Sequence, residues 1–287
     1  MYDKNLASQK RNALIGRIIT YLILGSCAVV CLFPFLWMLA TSFKSQAEAF
    51  TFPPTLIPKR FLWKNYVNGL QAADFALFTR NSILLVGVNT LATTLSAAFV
   101  AYGFGCFRQA RGANFWYTCL MATMMLPSQV TLIPQYLLYY KLGMIDTYWP
   151  LMIPSLLGGG AYNIFLYRQF FMSLPKELQE AAQIDGANSF QTFLYIMLPS
   201  VNPVAMCVAV MSLVWNWNDF YTPLIYLNST KKFTVSIGIQ FLNSSMGNTK
   251  IGQMMAVAMV MTVPVLIIFF ACQKYFVQGI KMSGIKG

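Results

Sequence analysis

Histidine is absent from the 287 residues of this chain, and acidic residues are scarce, with only eight Asp and Glu in total. The lack of histidine removes the commonest general base and most transition-metal sites. Charged residues make up 10% of the chain, whereas a soluble domain carries about a quarter. Hydrophobic residues make up 57%. This composition is that of an integral membrane protein rather than of a soluble domain.

Nucleotide-binding and disulfide motifs are also missing. No GxxxxGK[ST] sequence occurs, and the run Gly158-Gly159-Gly160 lies in an apolar stretch, where flexibility or close packing explains it better than phosphate binding. We interpret the cysteines as small hydrophobic residues rather than a disulfide framework, because none forms a CxxC pair. All six fall within or at the edges of apolar runs: Cys27, Cys31, Cys106, Cys119, Cys207 and Cys272.

The excess of basic residues does not indicate nucleic acid. Lys and Arg number 20 and give a net charge of +12. They are distributed among the ends and the loops between apolar runs, with no basic cluster and interleaved aromatics. Basic flanks of membrane spans explain this distribution better. We therefore expect contact with membrane lipid and none with nucleic acid.

Six apolar runs alternate with polar connections along the chain. They predict an all-α, polytopic membrane protein with six transmembrane helices in a single domain, residues 1–287. Proline is expected to kink the first and sixth spans at Pro34 and Pro264, and to break the third at Pro127 and Pro134. The predicted spans cover about residues 18–40, 82–107, 114–140, 149–171, 204–227 and 253–275.

A polar interruption between the fourth and fifth spans, residues 174–203, predicts two short helices. Pro175 suits a first helical turn, where its missing N–H costs nothing. Glu180 lies early in that helix, where the dipole favours negative charge. Gly186 is expected to end the helix in a left-handed conformation. The helical spacing gives a small-residue face formed by Leu178, Ala181, Ala182 and Asp185.

The second helix of this interruption carries its own start and stop signals. Asn188 is expected to cap it, with Gln191 completing a capping box, and Pro199 is expected to stop it. A DNA-binding helix–turn–helix is a poor alternative, because the segment has three acids and Lys176 as its only basic residue. An ordinary amphipathic connection between spans is the other alternative.

The residue spacing in this segment resembles the EAA loop of the permease subunits of bacterial ABC importers. Glu180-Ala181-Ala182 is followed by Gly186, and then by the end of the motif at Ile196, Leu198 and Pro199. The resemblance implies that the loop is cytoplasmic and docks on an ATPase subunit. The residues it assigns to ATPase coupling are Glu180, Ala181, Ala182, Asp185, Gly186, Ile196, Leu198 and Pro199.

A second polar cluster, Trp215-Asn216-Trp217-Asn218-Asp219, lies in the predicted fifth span. Polar groups at membrane depth usually face a cavity or a partner, and indole faces with amide or carboxylate groups suit sugars. An interfacial aromatic belt or polar contacts with a neighbouring helix are the alternatives. Trp215 and Asp219 are four residues apart and would share one helix face. We predict a translocation path lined first by Asn218 and Trp215, then by Asp219, and last by Asn216.

Two further segments resemble the carbohydrate branch of the same family, of the maltose-transporter type. One is Trp217-Asn218-Asp219-Phe220 with Pro223-Leu224, and the other is the tail from Phe276 to Gly287. The resemblance implies that tail residues Gln278 and Gly279 contact the ATPase. A frayed, solvated tail is the alternative.

The membrane orientation rests on the resemblance. Eleven of the 20 basic residues fall on the side of the termini and nine on the other, a difference too small for the positive-inside rule. The resemblance makes both termini cytoplasmic and puts the connection of residues 42–80 outside, with short helices on the surface. The expected location is the bacterial plasma (inner) membrane.

The expected function is that of a non-enzymatic permease subunit of an ATP-driven carbohydrate importer. The resemblance implies a second homologous permease, an ABC ATPase dimer, an extracellular solute-binding protein and a sugar substrate as partners. ATP and Mg are expected on the partner subunits, with no cofactor on this chain. A secondary transporter or channel for a small polar solute is the alternative, although Asp219 is the only acid available in a span and histidine is absent. A membrane enzyme is disfavoured by the lack of paired carboxylates in the spans.

Overall fold

A computed structural model describes the backbone of residues 2–245 and 250–283, and the side chains of residues 14–242 and 250–273. All regular secondary structure within these residues is helical, so the expected all-α class is confirmed. The α-helices, in chain order, are α1 (Tyr2–Ser42), α2 (Gln46–Ala49), α3 (Lys64–Gln71), α4 (Phe75–Cys106), α5 (Ala113–Ala122), α6 (Ser128–Lys141), α7 (Trp149–Leu156), α8 (Ala161–Ser173), α9 (Glu177–Ile184), α10 (Ser189–Thr192), α11 (Leu198–Ser200), α12 (Asn202–Asn218), α13 (Tyr221–Tyr226), α14 (Val235–Ser245) and α15 (Ile251–Ser283).

Three helical segments in the described residues are long and apolar enough to cross a membrane by themselves. They are Leu14–Ser42 of α1, Phe75–Cys106, which is α4, and Ile251–Gln273 of α15. A fourth candidate is the pair Ser189–Ser200 and Asn202–Asn218, whose two parts are bent by 80°. The chain is therefore a multi-pass membrane protein with three or four apolar spans by this criterion.

The third predicted span is interrupted at Pro127, as expected. A 3-10 turn, Thr123–Met125, follows α5, and α6 begins immediately after Pro127. The expected effect of Pro134 is wrong, because this proline lies inside α6 without ending it. The interruption follows from the missing N–H of proline and from the extended backbone that proline imposes on the residue before it.

The fourth and fifth predicted spans each comprise two helices. In the fourth, residues 157–160 separate α7 from α8, and all three glycines of that run have positive φ. In the fifth, α12 ends at Asn218 and α13 begins at Tyr221. Pro223 explains this second break, since it cannot donate to the carbonyl of Asp219 four residues earlier. Ser236 donates its hydroxyl to that carbonyl instead, at 2.6 Å.

One of two compact units comprises residues 1–73 and 242–260. The span of α1 in this unit is exposed over residues 14–34, and its last two residues, Thr41 and Ser42, are buried. The chain after α1 is held by the buried Lys44, whose ammonium lies 4.6 Å from the centroid of the Trp37 ring and donates to the carbonyl of Thr55. Asn65 donates to the carbonyl oxygens of Ser42 and Lys44, at 2.8 and 2.9 Å. These contacts order the connection between α1 and α4.

The other unit comprises residues 74–241 and 261–287, and α4 is its central helix. α4 packs against α7, α8 and α12. Small side chains of α4 allow this close approach, because Ala97, Ala98 and Ala101 are fully buried beside Tyr167 of α8 and Val208 of α12. This packed group positions two polar segments, residues 174–203 and Trp215–Asp219.

Candidate functional site

The first helix of the loop of residues 174–203 has the predicted form. α9 runs from Glu177 to Ile184, so it begins two residues after Pro175. Asp185 follows as the C-cap, and Gly186 has φ +80°. Nothing lies within 4 Å of the place where a Cβ would stand on Gly186. Glycine is therefore favoured here by the left-handed backbone and not by lack of space.

The second helix begins as predicted but does not end as predicted. Asn188 and Gln191 form the capping box, with both side chain to backbone hydrogen bonds at 2.9 Å. After α10 the chain makes a π-helical turn, Phe193–Met197, and then α11. The expectation that Pro199 stops the helix is wrong, because Pro199 lies in the first turn of α11, where its missing N–H is tolerated. The helical path ends instead at Val201, before α12.

One face of this loop packs against the rest of the unit that contains α4. Ala182 is 2% exposed, and Phe193 and Met197 belong to the core around α4. α9 packs against the π-helical turn Phe193–Met197, and the Phe193 ring lies 5.3 Å, centroid to centroid, from Tyr102 near the end of α4. The loop is therefore packed on α4 rather than extended from it.

The opposite face of the loop is exposed. Ile184 is 85% exposed, and the side chains of Glu180, Ala181 and Asp185 are exposed beside it. Among the other predicted coupling residues, Ile196 and Leu198 are half-buried and Pro199 is exposed. The motif thus combines the buried Ala182 with an exposed surface of acidic and apolar side chains.

The Trp215–Asp219 run divides into two sets of side chains. Trp215 is 79% exposed, and Asn218 is exposed with its Nδ2 bonded to the carbonyl of Val214 at 2.8 Å. Asn216 and Trp217 are half-buried. Trp217 donates its indole N–H to the carbonyl of Met261 at 3.2 Å. Trp215 and Asn218, the two residues first predicted to line the path, are therefore both on the exposed side of the helix.

Asp219 does not share a helix face with Trp215, so that part of the sequence argument is wrong. Asp219 lies beyond the end of α12 with extended backbone, ψ 116°. Its Oδ1 accepts the backbone N–H of Thr222 at 3.1 Å, so it caps the start of α13. Its carboxylate is half-buried at the break between the two helices.

Asn89 of α4 is a partner of this run that sequence reasoning missed. Its Nδ2 donates to Oδ1 of Asn216 at 2.8 Å and to the carbonyl of Leu151 at 3.0 Å. Asn216 in turn donates to the carbonyl and hydroxyl oxygens of Ser212, at 2.7 and 3.2 Å. The available signal was a lone asparagine within an apolar run, which carries no information about its partners.

Further polar side chains satisfy the backbone at the break between α7 and α8. Ser96 of α4 donates to the carbonyl of Ser155 at 2.7 Å, and Asn163 donates to the carbonyl of Gly159 at 2.6 Å. Gly159 lies against Thr93, whose Cγ2 is 2.6 Å from the place where a Cβ would stand. Irregular backbone at membrane depth requires such internal partners.

A polar cluster around Asp146 joins the turn after α6 to the chain after α13. Asp146 has φ +58° and accepts the hydroxyl of Ser229, the backbone N–H of Ser229 at 2.9 Å and that of Asn228 at 3.0 Å. Lys232 lies 3.1 Å from its Oδ2. The Ser229 hydroxyl bond and then these other donors lower the pKa of Asp146 well below its ordinary value, against a smaller opposing effect of burial.

The predicted tail contacts, Gln278 and Gly279, fall within α15, but they lie beyond the residues whose side chains the structure describes. Residues 284–287 lie outside the described residues altogether.

Comparison with known protein families identifies the chain. Residues 93–282 match the family described as binding-protein-dependent transport system inner membrane component. The chain belongs to this family. The matched residues include α9, with its EAA motif, and the Trp215–Asp219 run. The expected inner-membrane location and the expected function, a permease subunit of an ABC importer, are confirmed.

Several curated proteins resemble this permease over nearly their whole length. The arabinooligosaccharides transport system permease protein AraQ of Halalkalibacterium halodurans is 30% identical over 91% of this chain and 93% of its own. The lactose transport system permease protein LacG of Rhizobium radiobacter is 30% identical over 91% and 94%. The trehalose/maltose transport system permease protein MalG of Thermococcus litoralis is 30% identical over 96% and 99%.

A solved structure has the same fold as this permease. It is a chain from the crystal structure of a bacterial ABC transporter involved in the import of the acidic polysaccharide alginate. The TM-score is 0.81 at 22% identity, over 93% of this chain and 98% of that one.

Proposed function

We propose that this permease imports a carbohydrate. The names of its relatives support a sugar or oligosaccharide substrate, since they are permeases for arabinooligosaccharides, lactose and trehalose or maltose. The exposed indole of Trp215 and the exposed amide of Asn218 are the kinds of group that hold a sugar ring and its hydroxyls.

The observation that carries the coupling role is the exposed face of α9. Its motif residues sit on a helix that packs against the π-helical turn Phe193–Met197, and this turn packs on α4, so a force on α9 can reach the spans through that turn. We propose that the exposed motif residues dock on a partner ATPase, together with the half-buried Ile196 and Leu198, while the buried Ala182 holds α9 in place. The exposed ones are Glu180, Ala181, Asp185, Gly186 and Pro199. ATP and Mg would then be bound by that partner, and the complex would include an ATPase dimer, a second permease and an extracellular solute-binding protein.

The proposed topology has six spans with both termini in the cytoplasm. The paired helices α5/α6, α7/α8 and α12/α13 would each cross as one interrupted span, together with α1, α4 and α15. Breaks of this kind at membrane depth are expected where backbone is buried in protein or lines a cavity. In this arrangement α9 is cytoplasmic, and the turn at Asp146 lies outside.

The proposed path is lined by Trp215, Asn218 and Asp219, with Asn216 last. Exposure of the first two supports this order. Asn216 keeps the last position because its amide is already bonded to Asn89 and Ser212. We also propose that Gln278 and Gly279 contact the ATPase dimer.

The test is to express the chain with candidate ATPase, permease and solute-binding proteins and to reconstitute the purified complex in vesicles. We expect the ATPase to be retained, and uptake of radiolabelled oligosaccharide to require both ATP and the binding protein. Uptake by this chain alone, driven by a proton or sodium gradient without ATP, would establish the secondary-transporter alternative instead.

A further inference from the structure

One buried amide in the middle of α4 connects two interrupted helices. Asn89 is 4% exposed, and its Nδ2 bonds both the carbonyl of Leu151 in α7 and Oδ1 of Asn216 in α12. α7 ends just before the glycine break, and α12 ends just before the break at Asp219. α4 itself is continuous over 32 residues. A single side chain on an unbroken helix therefore holds the first half of each broken one.

The last turn of α12 is fixed from one side only. Asn216 is bonded by Asn89, and Trp217 by the carbonyl of Met261 in α15. Trp215 and Asn218 lie on the other side and are exposed. Because neighbouring residues on a helix differ in direction by about 100°, holding residues 216 and 217 determines where residues 215 and 218 point.

Packing alone does not account for asparagine at position 89. Its Oδ1 is buried and has no hydrogen-bond partner in this structure. A buried unpaired acceptor is unfavourable, and a leucine of similar size would fill the same space without one. What asparagine supplies and leucine cannot is the pair of donated bonds to α7 and α12.

We propose that Asn89 is a positioning residue for transport: it fixes the rotation of the end of α12 and so directs Trp215 and Asn218 toward the translocation path. The inference rests on the proposed function, because these two residues line a path only if the chain is a permease with that path. Asn216 accepts the hydrogen bond that links α4 to α12.

The test measures which side of α12 reacts with a water-soluble maleimide in the assembled transporter. The six native cysteines are replaced, and single cysteines are introduced as Asn218→Cys and Ser212→Cys, the second at a buried position on the Asn216 side. In the parent, Cys at 218 is expected to react much faster than Cys at 212. Asn89→Leu should lower this ratio about tenfold, the order expected from losing one such hydrogen bond.

Asn81→Leu is the matched control. Asn81 lies on the same helix and also donates two hydrogen bonds, to the carbonyl oxygens of Lys231 and Phe233 at 2.9 and 3.0 Å, but it does not bond α12. We expect this variant to keep the parental labelling ratio. A fall equal to that of Asn89→Leu would show a general loss of packing around α4 and overturn the proposal.

A second variant keeps the test decisive if Asn89→Leu does not assemble. Asn216→Ala removes the hydrogen bond between α4 and α12, together with the bonds of Asn216 to Ser212 within α12, and leaves the bond between Asn89 and Leu151 in place. It should lower the ratio to the same extent, and adding it to Asn89→Leu should lower it no further. An unchanged ratio in Asn216→Ala contradicts the proposal. ATPase retention in the parent, measured in the same preparation, separates this failure from failure of the proposed function.

Discussion

The loop of residues 174–203 and the Trp215–Asp219 run are both polar interruptions of an apolar chain, but their hydrogen-bond partners differ in distance along the sequence. In the loop, Asn188 and Gln191 bond each other three residues apart. In the run, Asn216 bonds Asn89, 127 residues away, and Trp217 bonds Met261, 44 residues away. The first segment is thus organised locally, and the second depends on the assembled helices.

The largest expected effect breaks the local organisation of the loop. Gly186→Leu puts a side chain at φ +80°, which costs about 1–2 kcal/mol and redirects the chain between α9 and α10. We expect ATP hydrolysis stimulated by the solute-binding protein to fall about tenfold in the assembled complex, because 1.4 kcal/mol corresponds to a factor of ten.

Gly143→Leu is the matched control for this change. Gly143 lies in the turn after α6, also with positive φ, +68°, and also with nothing within 4 Å of the place of a Cβ. The backbone strain is therefore similar, but the position is remote from α9 in the chain. Equal losses in the two variants would assign the effect to folding rather than to coupling.

The next effect concerns the exposed face of α9. Glu180→Lys reverses a charge on an exposed side chain, without disturbing the buried Ala182, and should weaken retention of the ATPase during purification about three- to tenfold. Glu177→Lys, on the same helix but outside the motif, should have a smaller effect. Undiminished retention of the ATPase by Glu180→Lys would contradict the docking surface.

A smaller effect is expected in the Trp215–Asp219 run, where the exposed residues should act on transport and not on folding. Trp215→Ala and Asn218→Ala should each lower uptake about two- to fivefold, consistent with the loss of about 0.5–1 kcal/mol of contact with substrate. Expression and ATPase retention should stay near the parental level. Trp149→Ala, which removes another exposed indole at the start of α7, is the control and should leave uptake nearly unchanged.

The smallest effect is expected in the polar cluster around Asp146. Asp146→Asn retains a side chain that tolerates φ +58° but removes the negative charge that Lys232 and Ser229 bond. We expect a loss of about 0.2–1 kcal/mol in stability at neutral pH, because asparagine keeps an acceptor oxygen and loses only the partly exposed ion pair, measured by thermal unfolding in detergent.

The pH dependence of that contribution has a definite sign. Folding lowers the pKa of Asp146, so its stabilisation is complete above the ordinary pKa of an aspartate and is lost only as the pH falls through the folded value. The parent and Asp146→Asn should therefore differ by a constant amount between pH 6 and 8, a range about two or more units above the ordinary carboxyl pKa. A difference that changes across this range would contradict the assignment.

The comparison also explains which features could be predicted from sequence. Gly186, the capping box and the break at Pro127 were predictable because a glycine, an Asn–Gln pair or a proline acts on its immediate neighbours. The break at Asp219 had a local cause in Pro223, four residues later, which the apolar pattern concealed. Asn89 had no local signature at all, because its role depends on where Leu151 and Asn216 arrive after folding.

Cross-linking from Ile184, the large apolar side chain that is 85% exposed, tests most directly whether α9 docks on an ATPase. Ile184→Cys, in a background without the native cysteines, is labelled with a benzophenone maleimide, and the assembled complex is irradiated so that the benzophenone inserts into C–H bonds of the neighbouring subunit. We expect a cross-link to the ATPase from position 184 and none from the control Asn228→Cys, an exposed position after α13. Absence of the ATPase cross-link at 184, or equal cross-linking from 228, would contradict this docking.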